Sequence, residues 1–146
     1  DGKFTGVSRF WGIDANALKA ELDVSYRYGT KLEASAKVGY HRWKTADGGE
    51  TISYNRPQWE GGVNIRYMPV RPFTLEAGYE FAAGREYSNL GKLSDIHLVH
   101  LKASYAFTSW FSLYGLTDNV LNRKYDILYG MPAQGINFMF GVDLKF

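Results

Sequence analysis

The sequence predicts an all-β fold: an antiparallel, up-and-down transmembrane β-barrel of about eight strands, or the last seven or eight strands of a larger barrel. Residues 1–146 are expected to form a single barrel domain or the C-terminal segment of one. Three observations carry this. Apolar and polar residues alternate with the period of a strand over segments of about 10 to 12 residues, where the average globular strand has nearer 5 or 6. Short turns alternate with long polar loops, as they do between the two rims of outer-membrane barrels. Charges gather on one face of the alternation and aromatics at the ends of the other.

The opening stretch is the least regular. Val7, Trp11 and Ile13 share one parity, whereas from Leu18 onward the apolar residues fall on even numbers. A one-residue change of parity flips every side chain, so a turn or bulge is required near 14–16, after a first strand at about 3–12. Leu18, Ala20, Leu22, Val24, Tyr26 and Tyr28 then oppose Lys19, Glu21, Asp23, Ser25 and Arg27. Gly29 and Thr30 make a tight turn into a strand that sets Leu32, Ala34, Ala36, Val38 and Tyr40 against Glu33, Ser35, Lys37 and Gly39. A long polar loop spans 41–57.

Trp59, Gly61, Val63, Ile65 and Tyr67 alternate with Glu60, Gly62, Asn64 and Arg66, and residues 68–72 reverse the chain. Phe73, Leu75, Ala77, Tyr79, Phe81 and Ala83 oppose Thr74, Glu76, Gly78, Glu80 and Ala82 before a second long loop at 84–95. Val99, Leu101, Ala103, Tyr105 and Phe107 follow, then a turn at Thr108 and Ser109, a strand over 110–118 and a third long loop over 119–134. The closing stretch 135–146, GINFMFGVDLKF, places Ile136, Phe138, Phe140, Val142, Leu144 and Phe146 on one face. An aromatic terminus preceded by apolar residues at every second position suits a strand whose outer face lies in lipid.

Composition narrows the function. The 17 basic and 15 acidic residues are interleaved, which gives no nucleic-acid face. Without cysteine there is neither a disulfide framework nor a thiol site, and three scattered histidines give no expectation of a metal site or cofactor. No run of 18 or more apolar residues occurs, which excludes a transmembrane helix but not membrane strands. The chain begins at Asp1 without a signal peptide, so it is expected to be processed or cut from something longer.

Alternation fits equally a soluble, lipid-carrying barrel with its apolar face inside. Aromatics decide for lipid outside: Tyr26, Tyr28, Tyr67, Phe73, Phe107, Trp110, Phe111 and Phe146 lie beside the short turns, and Tyr40, Trp59, Phe81 and Phe138 nearer the long loops. These are two interfacial girdles. The other face carries charges of both signs along nearly every strand, which a dry core would not hold cheaply.

Candidate sites are few. The inward charges are expected to form a salt-bridged, hydrated lumen. Glu76 and Glu80 share a face, yet no nucleophile or histidine stands at a catalytic spacing, so no enzyme and no catalytic residue is expected. His97 and His100 point to opposite faces and cannot share a metal from one strand. For ligand contact the loop aromatics Trp43, Tyr54, Tyr87, Tyr125 and Tyr129, with Arg85 and Arg123, are the best candidates, since aromatics and arginine dominate binding hot spots.

The stretch 113–146 resembles the C-terminal end of a TonB-dependent outer-membrane receptor. Asn119, Leu121, Asn122, Lys124 and Tyr125 match that family's motif after a strand, with Val120 in the usual Leu place. Pro132 and Gly135 match its loop before the last strand, where Ile136 replaces a common Arg. Gly141, Leu144 and Phe146 resemble the signal read by the barrel-assembly machinery. The resemblance implies a place in the bacterial outer membrane, in contact with its lipid, and import of a scarce nutrient such as a siderophore, a corrinoid or a glycan. Family members have 22 strands and an N-terminal plug that contacts TonB. This chain has neither the length nor a plug-like section, so TonB would act only through a plug absent here. An excised fragment, a degenerate gene product and a self-contained eight-stranded barrel with a structural or binding role all fit.

Overall fold

A computed structural model describes residues 2–14, 17–43, 57–85 and 91–145, with side chains described for 2–3, 18–42, 57–85 and 91–145. Eight long strands follow one another as a meander: β1 (Gly2–Asp14), β2 (Ala17–Tyr28), β3 (Leu32–Trp43), β4 (Trp59–Val70), β5 (Phe73–Ala83), β6 (Ile96–Ala106), β7 (Phe111–Asp118) and, last in the chain, β10 (Asn137–Leu144). Between the last two lies a small hairpin of β8 (Asp126–Leu128) and β9 (Met131–Pro132). Every neighbouring pair in the order β1-β2-β3-β4-β5-β6-β7-β10 is antiparallel. The first 28 residues supply two strands, not one, so among the described residues the main sheet has eight strands rather than seven. The sheet is open: among the described residues β1 and β10 are edges and do not pair with each other. Among the described residues it is therefore an open sheet and not a closed eight-stranded barrel.

The connections follow the expected rhythm with small differences. Gly29, at φ 53°, makes the β2-β3 turn, closed by Lys31 N–H on the Tyr28 carbonyl at 3.3 Å. In the β6-β7 turn the Thr108 hydroxyl accepts the N–H of Phe111 at 3.0 Å, the local bond that favours threonine in such turns. Strand β4 runs to Val70, three residues past Tyr67, because a bulge between Tyr67 and Val70 accommodates Pro69, which has no N–H to give the ladder. Asp14 pairs with Ala17, so the chain reverses between them as the change of parity required, and β1 carries a further register shift between Phe4 and Gly6.

There is no core in the usual sense. Leu93 is the sole buried hydrophobic residue among those described, while Phe140 is 82% exposed and Val63, Leu101, Leu113 and Val142 are exposed with it. The ladder fixes this. Leu101, for example, lies opposite Ala77, which lies opposite Ile65, so apolar side chains form continuous bands on one face. Such an area of exposed apolar surface is stable only against another apolar phase.

Aromatic rings cluster at both ends of that face. Toward the short turns Tyr105 meets Phe107 edge-on at 4.8 Å, and Phe107 lies 5.5 Å from Phe111. Toward the long loops Tyr40 and Trp59 are 4.6 Å apart, and the Tyr79 hydroxyl bonds His97 Nδ1 at 2.8 Å. His97 is thus a rim residue of the apolar face.

Candidate functional site

On the opposite face the register sets charges into a row. Arg27 stands opposite Glu33, Glu33 opposite Arg66, Arg66 opposite Glu76 and Glu76 opposite Lys102. The signs alternate across five strands. Arg27 meets Glu33 at 2.9 Å and Glu76 lies between Arg66 at 3.4 Å and Lys102 at 3.9 Å. Lys102 also lies 5.5 Å from the centre of the Tyr114 ring. These side chains are 36–58% exposed, so each pair contributes only about 0–1 kcal/mol. Their consequence is electrical: the wall is polar without a strong net sign. Glu76 has a cation on each side.

A hollow of about 430 Å³ lies over this row, lined among others by Arg27, Glu33, Arg66, Glu76 and Lys102. One step along, Gly78 gives room to His100, whose ring occupies the space where a Cβ would stand, with Asn64 Oδ1 also 2.7 Å from that point.

At the loop-bearing end the motif noted at 119–125 has a mechanical explanation. Strand β7 stops at Asp118, and Asn119 and Asn122 both adopt left-handed backbone, φ 50° and 47°. Asparagine tolerates that region because its side chain bonds locally. Asn119 is buried; its Oδ1 accepts the Arg123 N–H at 2.9 Å while its Nδ2 donates to the carbonyls of Arg123 and Gln134 at 2.9 and 3.2 Å. Asn122 Oδ1 accepts the N–H of Ile136 at 3.1 Å. A Cβ at Gly135 would sit 2.7 Å from that same oxygen, so glycine permits the approach. The two asparagines staple the start of the loop to its end and aim the chain into β10.

Arg85 joins this loop to the preceding one. It is 2% exposed, and donates from Nη1 to the Ser94 carbonyl at 3.1 Å and from Nη2 to the carbonyls of Asp126 and Ile127 at 2.8 and 2.9 Å. Burial lowers its pKa from the ordinary guanidinium value, and Tyr125, Asp126 and Asp95 act in the other direction. An arginine has no accessible neutral form here, so the fork remains a charged clasp. Its donors are directed inward to the backbone.

Of the other residues expected to meet a ligand, Arg123 and Tyr125 line a hollow of about 520 Å³ with Lys124, Asp126 and Pro132. Tyr129 lies beyond it at the hairpin tip, 54% exposed. Tyr54, Tyr87 and the side chain of Trp43 lie outside the described residues. In the expected assembly signal, Leu144 is exposed on the apolar face of β10, Gly141 leaves space taken by the Tyr114 ring, and Phe146 lies outside the described residues. The sequence reading missed the structural work of Asn119 and Asn122, although an Asn-x-x-Asn spacing directly after a strand was the available signal.

No protein-family model matches the chain, and no curated protein does. Solved structures do. The FpvAI-pyocin S2 complex superposes with a TM-score of 0.75 at 19% identity, over 89% of this chain and 20% of that one. The copper transporter OprC superposes with a TM-score of 0.69 at 17% identity, over 89% and 24%. The chain spans about a fifth to a quarter of the length of these structures. The fold of this chain is similar to that of a segment of each of these two structures.

Proposed function

We propose that the chain supplies C-terminal wall strands and outer loops to a TonB-dependent receptor of the bacterial outer membrane, one that imports a scarce nutrient of the siderophore, corrinoid or glycan class. The observation that carries this is the open sheet. Unpaired N–H and C=O groups along a strand edge are not tolerated in hydrocarbon, so β1 and β10 require further strands beside them. The similarity to chains roughly four times as long supports the same reading. Transport would be energised by TonB acting on a plug outside this chain, with no catalysis and no cofactor. Lipid would cover the apolar face, and the assembly machinery would read Gly141, Leu144 and Phe146.

Ligand contact in this reading falls to Arg123 and Tyr125 at the loop hollow and Tyr129 at the hairpin tip, with Trp43 at the end of β3 and with Tyr54 and Tyr87. Arg85 holds the floor beneath them. The test is uptake of labelled ferric siderophore, cobalamin or maltodextrin by cells carrying the parent gene, with and without functional TonB. Uptake of one of them that needs both gene and TonB is expected. A parent protein that fractionates away from the outer membrane, or TonB-independent entry of all three, would overturn the proposal.

A further inference from the structure

Near the loop-bearing end of the charged face, Glu21, Gly39 and Glu60 stand side by side on β2, β3 and β4. The middle position has no side chain, and the gap is where its neighbours converge. A Cβ built at Gly39 would lie 3.2 Å from His41 Nε2, 3.5 Å from Glu60 Cγ and 3.7 Å from Glu21 Cγ. His41, two residues along β3, folds back over the gap. Its backbone N–H is fixed to the Gln58 carbonyl at 2.8 Å, which holds it beside the start of β4.

One ligand atom from each of Glu21, His41 and Glu60 lies within 4.8 Å of the other two. His41 Nε2 is 3.1 Å from Glu60 Oε1, and Lys19 Nζ is 2.7 Å from Glu21 Oε1. The side chain of His41 is only 11% exposed while that of Glu60 is 50% exposed, so the group has a buried floor and an open side.

We infer that Glu21, His41 and Glu60 form a binding site for a divalent transition cation on the inner wall. An imidazole with two carboxylates is the donor set of zinc, copper, nickel and ferrous sites, whereas calcium and magnesium prefer oxygen alone. Donors about 2.0–2.2 Å from zinc lie roughly 3.3–3.6 Å from one another in a tetrahedron, so rotation of the two glutamate ends over Gly39 closes the set. Lys19 would release one oxygen of Glu21 or keep it while the other binds. The open side leaves positions for water or for a chelate carried by the metal. The inference concerns this chain's own residues and stands apart from transport by a parent receptor.

The test is titration of the full chain, purified in detergent, with Zn²⁺ by calorimetry and with Cu²⁺ by electron paramagnetic resonance. One saturable site is expected, with hyperfine coupling to a single imidazole nitrogen. His41→Ala and the isosteric Glu60→Gln should each weaken Zn²⁺ binding about tenfold or more, and His41→Ala should remove the nitrogen signal. His100→Ala, on the same face but outside the group, should change neither. Glu60→Gln preserves shape and so reads the site even if His41→Ala fails to fold. Absence of saturable binding, indifference to both site substitutions, or equal loss in His100→Ala would show that the three side chains are only an ionic cluster.

Discussion

Replacing Leu101 by Arg tests the outward orientation directly. Leu101 is exposed on the apolar face of β6, four residues from Tyr105 in one ring cluster and four from His97 in the other. At about 3.3 Å per residue each interval is about 13 Å along the strand, or roughly 10 Å of depth at a barrel strand's usual tilt of about 40°. Leu101 therefore sits close to the middle of an apolar band of about 25 Å. An arginine there should cost about 2–4 kcal/mol in a bilayer. Ser104→Arg, on the charged face of the same strand between Thr74 and Tyr114, should cost less than about 1 kcal/mol, as surface charge changes do. Urea unfolding of the parent barrel that carries these strands, reconstituted in phosphatidylcholine vesicles, measures both. With a denaturant slope of about 1–3 kcal/mol per molar, Leu101→Arg should lower the midpoint by about 0.7–4 M and Ser104→Arg by little. If the two midpoints fall together, or Ser104→Arg is the more damaging, the apolar face does not meet lipid.

Three further outcomes follow from the loops and the charged row. Arg85→Ala should raise amide exchange across 126–132 by about 10- to 100-fold, because hydrogen bonds from a charged donor contribute about 1.5–3 kcal/mol. Arg85→Lys should rescue only part of this, having no fork to reach three carbonyls; unchanged protection in Arg85→Ala would disprove the clasp. Asn119→Gly keeps the left-handed backbone and loses the side-chain bonds, whereas Asn119→Ala loses both. The alanine variant should therefore be the less stable by about 1 kcal/mol in the same urea assay, and an inverted order would contradict the stapled turn. Glu76→Gln should shift stability by less than about 1 kcal/mol, while Glu76→Lys, which places a third cation between Arg66 and Lys102, should be worse and improve with added salt. A salt-independent Glu76→Lys would mean that packing, not charge, governs that position.

The strands were legible because a two-sided environment writes itself into alternate residues. In β5, Leu75, Ala77, Tyr79 and Phe81 face one way and Glu76 and Glu80 the other, and no tertiary contact is needed to see it. The hairpin β8-β9 was not legible. Its five ladder residues carry no alternation, and it exists because Arg85, forty-one residues earlier, holds the Asp126 carbonyl. A bond of that span leaves no local period. The bulge at Met68 and Pro69 was half visible: proline announced an interruption, but whether the strand ended or stepped over it depended on Val70 finding Phe73.

The charged face shows the same division at the level of chemistry. Glu33, Arg66, Glu76 and Lys102 were each visible as inward charges, but their alternation in sign is a property of register, which the sequence of any one strand does not contain. The histidines make the point more sharply. Scanned along the chain, His41 stands 20 residues from Glu21 and 19 from Glu60, a spacing with no metal-binding signature. Two consecutive antiparallel pairings bring both carboxylates level with Gly39, two residues from His41, and the missing side chain turns a row of three into a pocket. In a meander the residues able to share a ligand are those whose distances to the intervening turns match, so a search for sites in such walls has to run across the ladder rather than along the strand.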